Sequence, residues 1–148
     1  MEAWEELQDV VGPIIDRVCA DDVESPEAGL ARLSEKERTL YLTWCVGGEV
    51  DNGGFAQFFC NSNGGFAKET ADALDKVGCK EVADMVRKSM TAFPGGKVPT
   101  DIGERNMVLS NFPAESSQLL DALDKEFYAF TSDRVLQAVR DYWVKSEG

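Results

Sequence analysis

Apolar residues recur along this chain at intervals of three and four, the period of a helix, and the two-residue alternation of a half-buried strand is scarce. Trp4, Leu7, Val11, Ile14, Ile15 and Val18 make a first stripe. Gly12-Pro13 interrupts it and marks a candidate kink, because Pro13 has no amide to return to the Asp9 carbonyl. Ser25-Pro26 reads as an N-cap followed by a proline at the first helical position, and Ser34-x-x-Glu37 as a capping box opening a helix through Tyr41, Trp44 and Cys45. That helix is expected to end in the region of Gly47-Gly48 and Asn52-Gly53-Gly54. A short aromatic helix follows, then a corner at Asn63-Gly64-Gly65. Further stripes run through Phe66, Thr70, Ala73, Leu74 and Val77, capped by Gly78, and through Val82, Met85, Val86, Met90 and Phe93. Pro94 to Pro99 is the clear loop. Beyond it Pro113 opens a helix bearing Leu119, Leu120, Leu123 and Phe127, and Thr131 or Ser132 caps a last one bearing Val135, Leu136, Val139, Tyr142 and Trp143. The pattern predicts an all-α fold, a single compact domain over residues 1–148, of about eight helices joined by Gly, Asn and Pro corners.

The most specific local signal is Asn52-Gly53-Gly54-Phe55-x-Gln57-Phe58-Phe59-x-Asn61. Paired glycines after an asparagine allow a sharp change of direction, and Phe55, Phe58 and Phe59 then fall on one helical face. With the later Leu123-Asp124-x-x-Phe127-Tyr128, this pattern resembles a bacterial helical domain family that includes the C-terminal domain of a DNA mimic protein. The resemblance runs roughly from Leu40 to Trp143. Most members of that family have no assigned function, and its characterised branch is an acidic protein that occupies the DNA-binding surface of a transcription factor. The resemblance therefore implies a helical fold and a protein-inhibiting, DNA-imitating role. The two motifs are largely apolar, so they identify the domain and belong to its packing. They predict that Phe55, Phe58, Phe59, Leu123 and Phe127 meet in one core.

Charge changes the picture. The 148 residues carry a formal net charge of -12, beyond the magnitude of roughly 2 to 8 that keeps a small domain soluble. Direct binding to nucleic acid or to an anionic membrane is disfavoured, and basic partners are favoured. The excess is concentrated in an acidic N-terminal segment, residues 1–37, where eleven acids face the three bases Arg17, Arg32 and Lys36. On a helical wheel Glu2, Glu5, Glu6, Asp9 and Asp16 share an arc of about 100°, opposite the stripe from Trp4 to Val18. Their carboxylates recur about every 4 Å along the axis, against about 3.4 Å for the charges of one DNA strand. Any acidic amphipathic helix has a similar density, so a solvated surface accounts for it as well as a decoy does. Together with Asp21, Asp22, Glu24 and Glu27, these acids form the candidate partner-binding face, for a basic DNA-binding protein or a nuclease.

The candidate chemistry is thin. The absence of histidine removes the commonest general base and metal ligand, and Cys19, Cys45, Cys60 and Cys79 lie too far apart in sequence to suggest a zinc site. The glycine pairs match no phosphate-binding loop. No metal, cofactor or enzymatic activity is expected. The start of the chain lacks the pattern of a signal peptide, no run approaches a membrane span, and the thiols suit a reducing bacterial cytoplasm. Asp124 stands out, since it lies at the edge of an apolar stripe where a carboxylate needs donors, which the corner around Asn52 to Phe55 or Asn61 can supply. The alternative function is a small-molecule binder or enzyme that uses Asn52, Asn61 and Asp124, with Glu49, as a polar pocket.

Overall fold

A computed structural model describes residues 2–146, so residues 1, 147 and 148 of the expected single domain lie outside it. Helices account for about four fifths of the described residues, and no strand occurs among them. In order they are α1 (Ala3–Val18), α2 (Pro26–Leu30), α3 (Glu35–Cys60), α4 (Ala67–Lys76), α5 (Lys80–Met90), α6 (Ile102–Ser110), α7 (Ala114–Phe130) and α8 (Ser132–Lys145), with 3-10 turns at Ser62–Phe66 and Pro94–Gly96.

Local chemistry sets several boundaries as anticipated. The Ser25 hydroxyl accepts from the Ala28 amide, Pro26 begins α2, and Ser34 and Glu37 exchange side-chain and backbone hydrogen bonds at the start of α3. Gly78, at φ 85°, follows α4. Thr131 holds the N-cap position of α8, yet no side-chain cap bond forms there and its φ is 79°. The expected cap is present only in position.

Pro13 sits inside α1, which continues past it to Val18. Two features differ from the sequence reading. The α3 helix runs through Gly47-Gly48, and its helical backbone is interrupted only at Gly53 and Gly54, where the expected short aromatic helix begins. Each interior glycine costs about 1 kcal/mol relative to alanine. Burial over most of the circumference outweighs that, with Leu40, Leu42, Val46, Val50, Phe55, Phe58 and Phe59 at 2% exposure or less and only the side of Gly48, Asp51 and Asn52 open. Finally, α6 was not anticipated. It has no apolar stripe, since Met107 is 70% exposed and its buried residue is Arg105.

Central α3 touches α1, α4, α6, α7 and α8, and one continuous apolar core forms around it. The predicted meeting of Phe55, Phe58, Phe59, Leu123 and Phe127 occurs there. Edge-on rings continue the core from Phe58 to Phe59 at 5.2 Å, to Phe93 at 4.8 Å and to Phe112 at 4.9 Å. Trp4, by contrast, leaves the α1 packing stripe with 45% of its surface exposed.

Candidate acidic interface and the Asn-Gly-Gly corner

The kink in α3 is built by its glycines and locked by α7. Gly53 lies at φ -151°, ψ 18° and Gly54 at φ 76°, ψ -177°, the latter a conformation essentially restricted to glycine. Directly after it the Phe55 amide donates to Asp124 Oδ1 at 2.8 Å. A Cβ on Gly54 would stand 2.8 Å from Asp124 Cγ and 2.9 Å from Oδ1, so the carboxylate occupies the place of a side chain. Asp124 is half-buried. Burial raises its pKa, the Phe55 amide opposes that shift, and the neighbouring charge of Asp121 adds to it. The Tyr128 hydroxyl donates to the Val50 carbonyl at 3.1 Å, and the Phe55 and Phe127 rings meet edge-on at 6.4 Å. The second motif is thus the clamp on the first.

The remaining polar residues of the motif brace the other side. Asn52 donates to Gln57 at 3.0 Å, Gln57 donates to Glu49 at 3.0 Å, and Asn61 donates to the same Glu49 oxygen at 2.7 Å. Asn52 and Asn61 therefore meet through Gln57 and Glu49, while Asp124 turns to the backbone of Phe55. None of the three lines the groove of about 470 Å³ bounded by Gln57, Cys60, Asn106, Leu109, Phe112 and Asp121. The residues named for a polar pocket are held as fasteners.

Arg105 is a functional part of this corner that carries no sequence signal. It is 1% exposed, and its guanidinium donates to the carbonyls of Phe59 at 2.6 Å, Asn61 at 2.8 Å, Pro99 at 2.8 Å and Thr100 at 3.1 Å. It collects the carbonyls at the end of α3 and ties them to α6. Burial lowers its pKa, and the nearby Asp101 charge opposes this.

Within the acidic segment the three bases are engaged by the fold. Arg17 bridges to Glu37, Arg32 pairs with Asp22 at 2.9 Å, and Lys36 donates to the Ser146 carbonyl at 2.8 Å while lying over the Trp143 ring. Glu2, Glu5, Asp9, Asp16, Asp21, Asp22, Glu24 and Glu27 are exposed. Glu6 is not part of that open face: it is half-buried and pairs with Arg140 of α8 at 3.2 Å, a contact that a wheel drawn on α1 alone does not include. Glu5 accepts the Glu2 amide at 3.0 Å across the start of α1. Seven of the nine candidates (Glu2, Glu5, Asp9, Asp16, Asp21, Glu24 and Glu27) have no basic partner among the described residues. With Glu6 neutralised, four carboxylates span about 21 Å of α1, or about one per 5 Å, sparser than one DNA strand.

Fold and surface together define an all-α domain whose bent central helix is clamped by a carboxylate, with exposed acids between Glu2 and Glu27 that its own bases leave largely unpaired. Residues 31–146 match the DMP19-like protein family, and the chain belongs to that family. No curated protein and no solved structure matches it. Both motifs lie inside the matched segment, whereas every acid of the candidate face, from Glu2 to Glu27, precedes it. Among the described residues no helix is long and apolar enough to cross a membrane.

Proposed function

We propose that this protein is a binding protein rather than an enzyme, an acidic decoy that engages the basic nucleic-acid-binding surface of a DNA-binding protein or a nuclease. Membership of a DNA-mimic family supports the class of role. The observation that carries the reading for this chain is the set of seven exposed acids without a basic partner, beside three bases all committed to internal contacts. Such a face attracts a basic groove by the electrostatic steering and ion release that DNA itself uses. Asn52, Asn61, Asp124 and Glu49 are occupied in holding the α3 corner, which favours binding over chemistry.

Capture from a bacterial lysate at low and high salt, with duplex DNA as competitor, tests the proposal. The expected result is a basic DNA-binding protein or nuclease that salt and DNA both release. With that partner purified, the Glu2→Gln/Glu5→Gln/Asp9→Asn/Asp16→Asn variant should bind more weakly with a shallower salt dependence while remaining folded. A partner that binds equally well with DNA already on it, or an unchanged salt slope, would refute the decoy reading.

A further inference from the structure

The three tryptophans occupy different electrostatic settings. Trp143 already carries a cation from its own chain, with Lys36 Nζ 4.1 Å from the ring centroid. Trp4 and Trp44 instead line an open slot of about 250 Å³ between α1, α3 and α8, together with Gly47, Gly48, Asp51, Ser132, Val135 and Leu136, and no lysine or arginine is among the lining residues. Asp51 is exposed and has no basic partner among the described residues.

The two glycines add an independent observation. At Gly54 a side chain is forbidden by the packing, but a Cβ on Gly47 or Gly48 would meet nothing within 4 Å. The interior of the fold does not require their smallness, and what they preserve is the open volume beside the two indoles. That volume falls below the roughly 300 to 1,000 Å³ of small-molecule sites and suits one side chain. Two indoles and a carboxylate at an otherwise apolar lining favour a cation on an apolar stem, and arginine above all, because its planar guanidinium stacks on indole while keeping donors for a carboxylate.

We infer that this slot receives an arginine side chain from the basic partner, stacked against Trp4 and Trp44 and paired with Asp51. The identity of the donor rests on the decoy reading, but the slot's preference for the side chain does not. On this account the acidic face of α1 sets approach and salt dependence, and the tryptophan slot supplies a desolvated anchor of the kind that dominates interface affinity.

The test is a titration of the full-length, 15N-labelled protein with N-acetyl-L-arginine amide, following the three indole N–H signals by NMR after assignment with single Trp→Phe variants. The Trp4 and Trp44 signals should shift saturably and that of Trp143 should stay. Asp51→Asn should weaken binding about three- to fivefold, as expected for loss of one exposed ion pair. Gly48→Leu should fill the slot and abolish the shifts, with circular dichroism confirming that the helices persist. N-acetyl-L-leucine amide, lacking the charge, should move neither signal. Absence of saturable shifts at Trp4 and Trp44, equal movement of all three indoles, or equal binding of the leucine amide would overturn the assignment. Slot binding of the arginine amide without any capturable basic protein would sink the decoy reading alone. A captured, DNA-competed partner whose affinity is unaffected by Trp4→Ala would sink the slot alone.

Discussion

Replacing Gly54 by alanine tests the joint between the two motifs. At φ 76° and ψ -177° the backbone is in a region where a non-glycine residue costs on the order of 1–3 kcal/mol. The new methyl would also stand 2.8 Å from Asp124 Cγ and 2.9 Å from Oδ1, nearer than any side-chain contact permits. The carboxylate must move, and its 2.8 Å bond to the Phe55 amide goes with it. A hydrogen bond to a charged group contributes about 1.5–3 kcal/mol, so the expected loss is about 3–5 kcal/mol, a large share of the ~5–15 kcal/mol that holds a domain together. Urea unfolding followed at 222 nm measures it. The stringent version is a double-mutant cycle with Asp124→Ala, because deleting the carboxylate removes both the clash and the bond. The double variant should then lose about 1–3 kcal/mol less than the sum of the single losses. Gly12→Ala is the control, since its Cβ meets nothing within 4 Å and alanine is the better helix former. Additive losses in the cycle, or a Gly54→Ala variant within about 0.5 kcal/mol of the parent, would refute the carboxylate clamp.

Phe58 is fully buried, and Phe58→Ala should cost about 3–5 kcal/mol in the same unfolding assay, unchanged stability contradicting its place in the core. Arg105→Met keeps much of the stem but leaves the carbonyls of Phe59 and Asn61 without their donor, for a loss of about 2–4 kcal/mol and faster amide exchange across α6. Acid should act in two directions. Arg17 holds the Glu37 carboxyl below its ordinary value, so that pair's contribution is complete above a pH of about 4.5 and is lost as pH falls through the lowered pKa. Burial raises the Asp124 pKa, so its ionised form opposes folding above that pKa, and protonation as pH falls offsets part of the acid loss. Melting temperature plotted against pH should therefore fall less steeply on the acid side for Glu37→Gln and more steeply for Asp124→Asn, and identical slopes for the two would contradict this assignment.

The parts legible in the sequence are those governed by local pattern. Stripes located most helices, Ser25 and Ser34 fixed two of their starts, and the position of Asp124 between Leu120 and Phe127 called for a nearby donor that the structure supplies at Phe55. What escaped depends on contacts remote in sequence. Arg105 reaches carbonyls 44 and 46 residues away, so nothing in the local pattern of α6 marks its buried residue. The continuity of α3 through Gly47-Gly48 follows from burial over most of its circumference, which overrides the weak helix propensity of two glycines. Glu6 left the acidic face because Arg140, 134 residues further on, packs across α1.

The distribution of bases separates the acids that serve the fold from those that do not. Lys76 ties α4 to Glu35 of α3, Arg87 ties α5 to Asp72 and Asp75 of α4, and Arg140 ties α8 to Glu6 of α1. With 27 acids and 15 bases, an excess must remain, and in α1 it is gathered on one side. Glu2 and Glu5 sit at the positive end of the α1 dipole and gain from it, but Asp16 lies in the last turn, where the dipole disfavours a negative charge. Asp9 also lies one turn from Glu5 and Glu6, and neither it nor Asp16 has a basic partner among the described residues. If these two carboxylates served folding, Asp9→Asn/Asp16→Asn would lower stability. The physics of their positions predicts the opposite, a melting temperature equal to or above the parent at low salt, with the difference shrinking as salt screens the repulsion. A loss of stability would return these acids to a structural role, whereas the predicted gain leaves their charge to be explained by something outside the molecule.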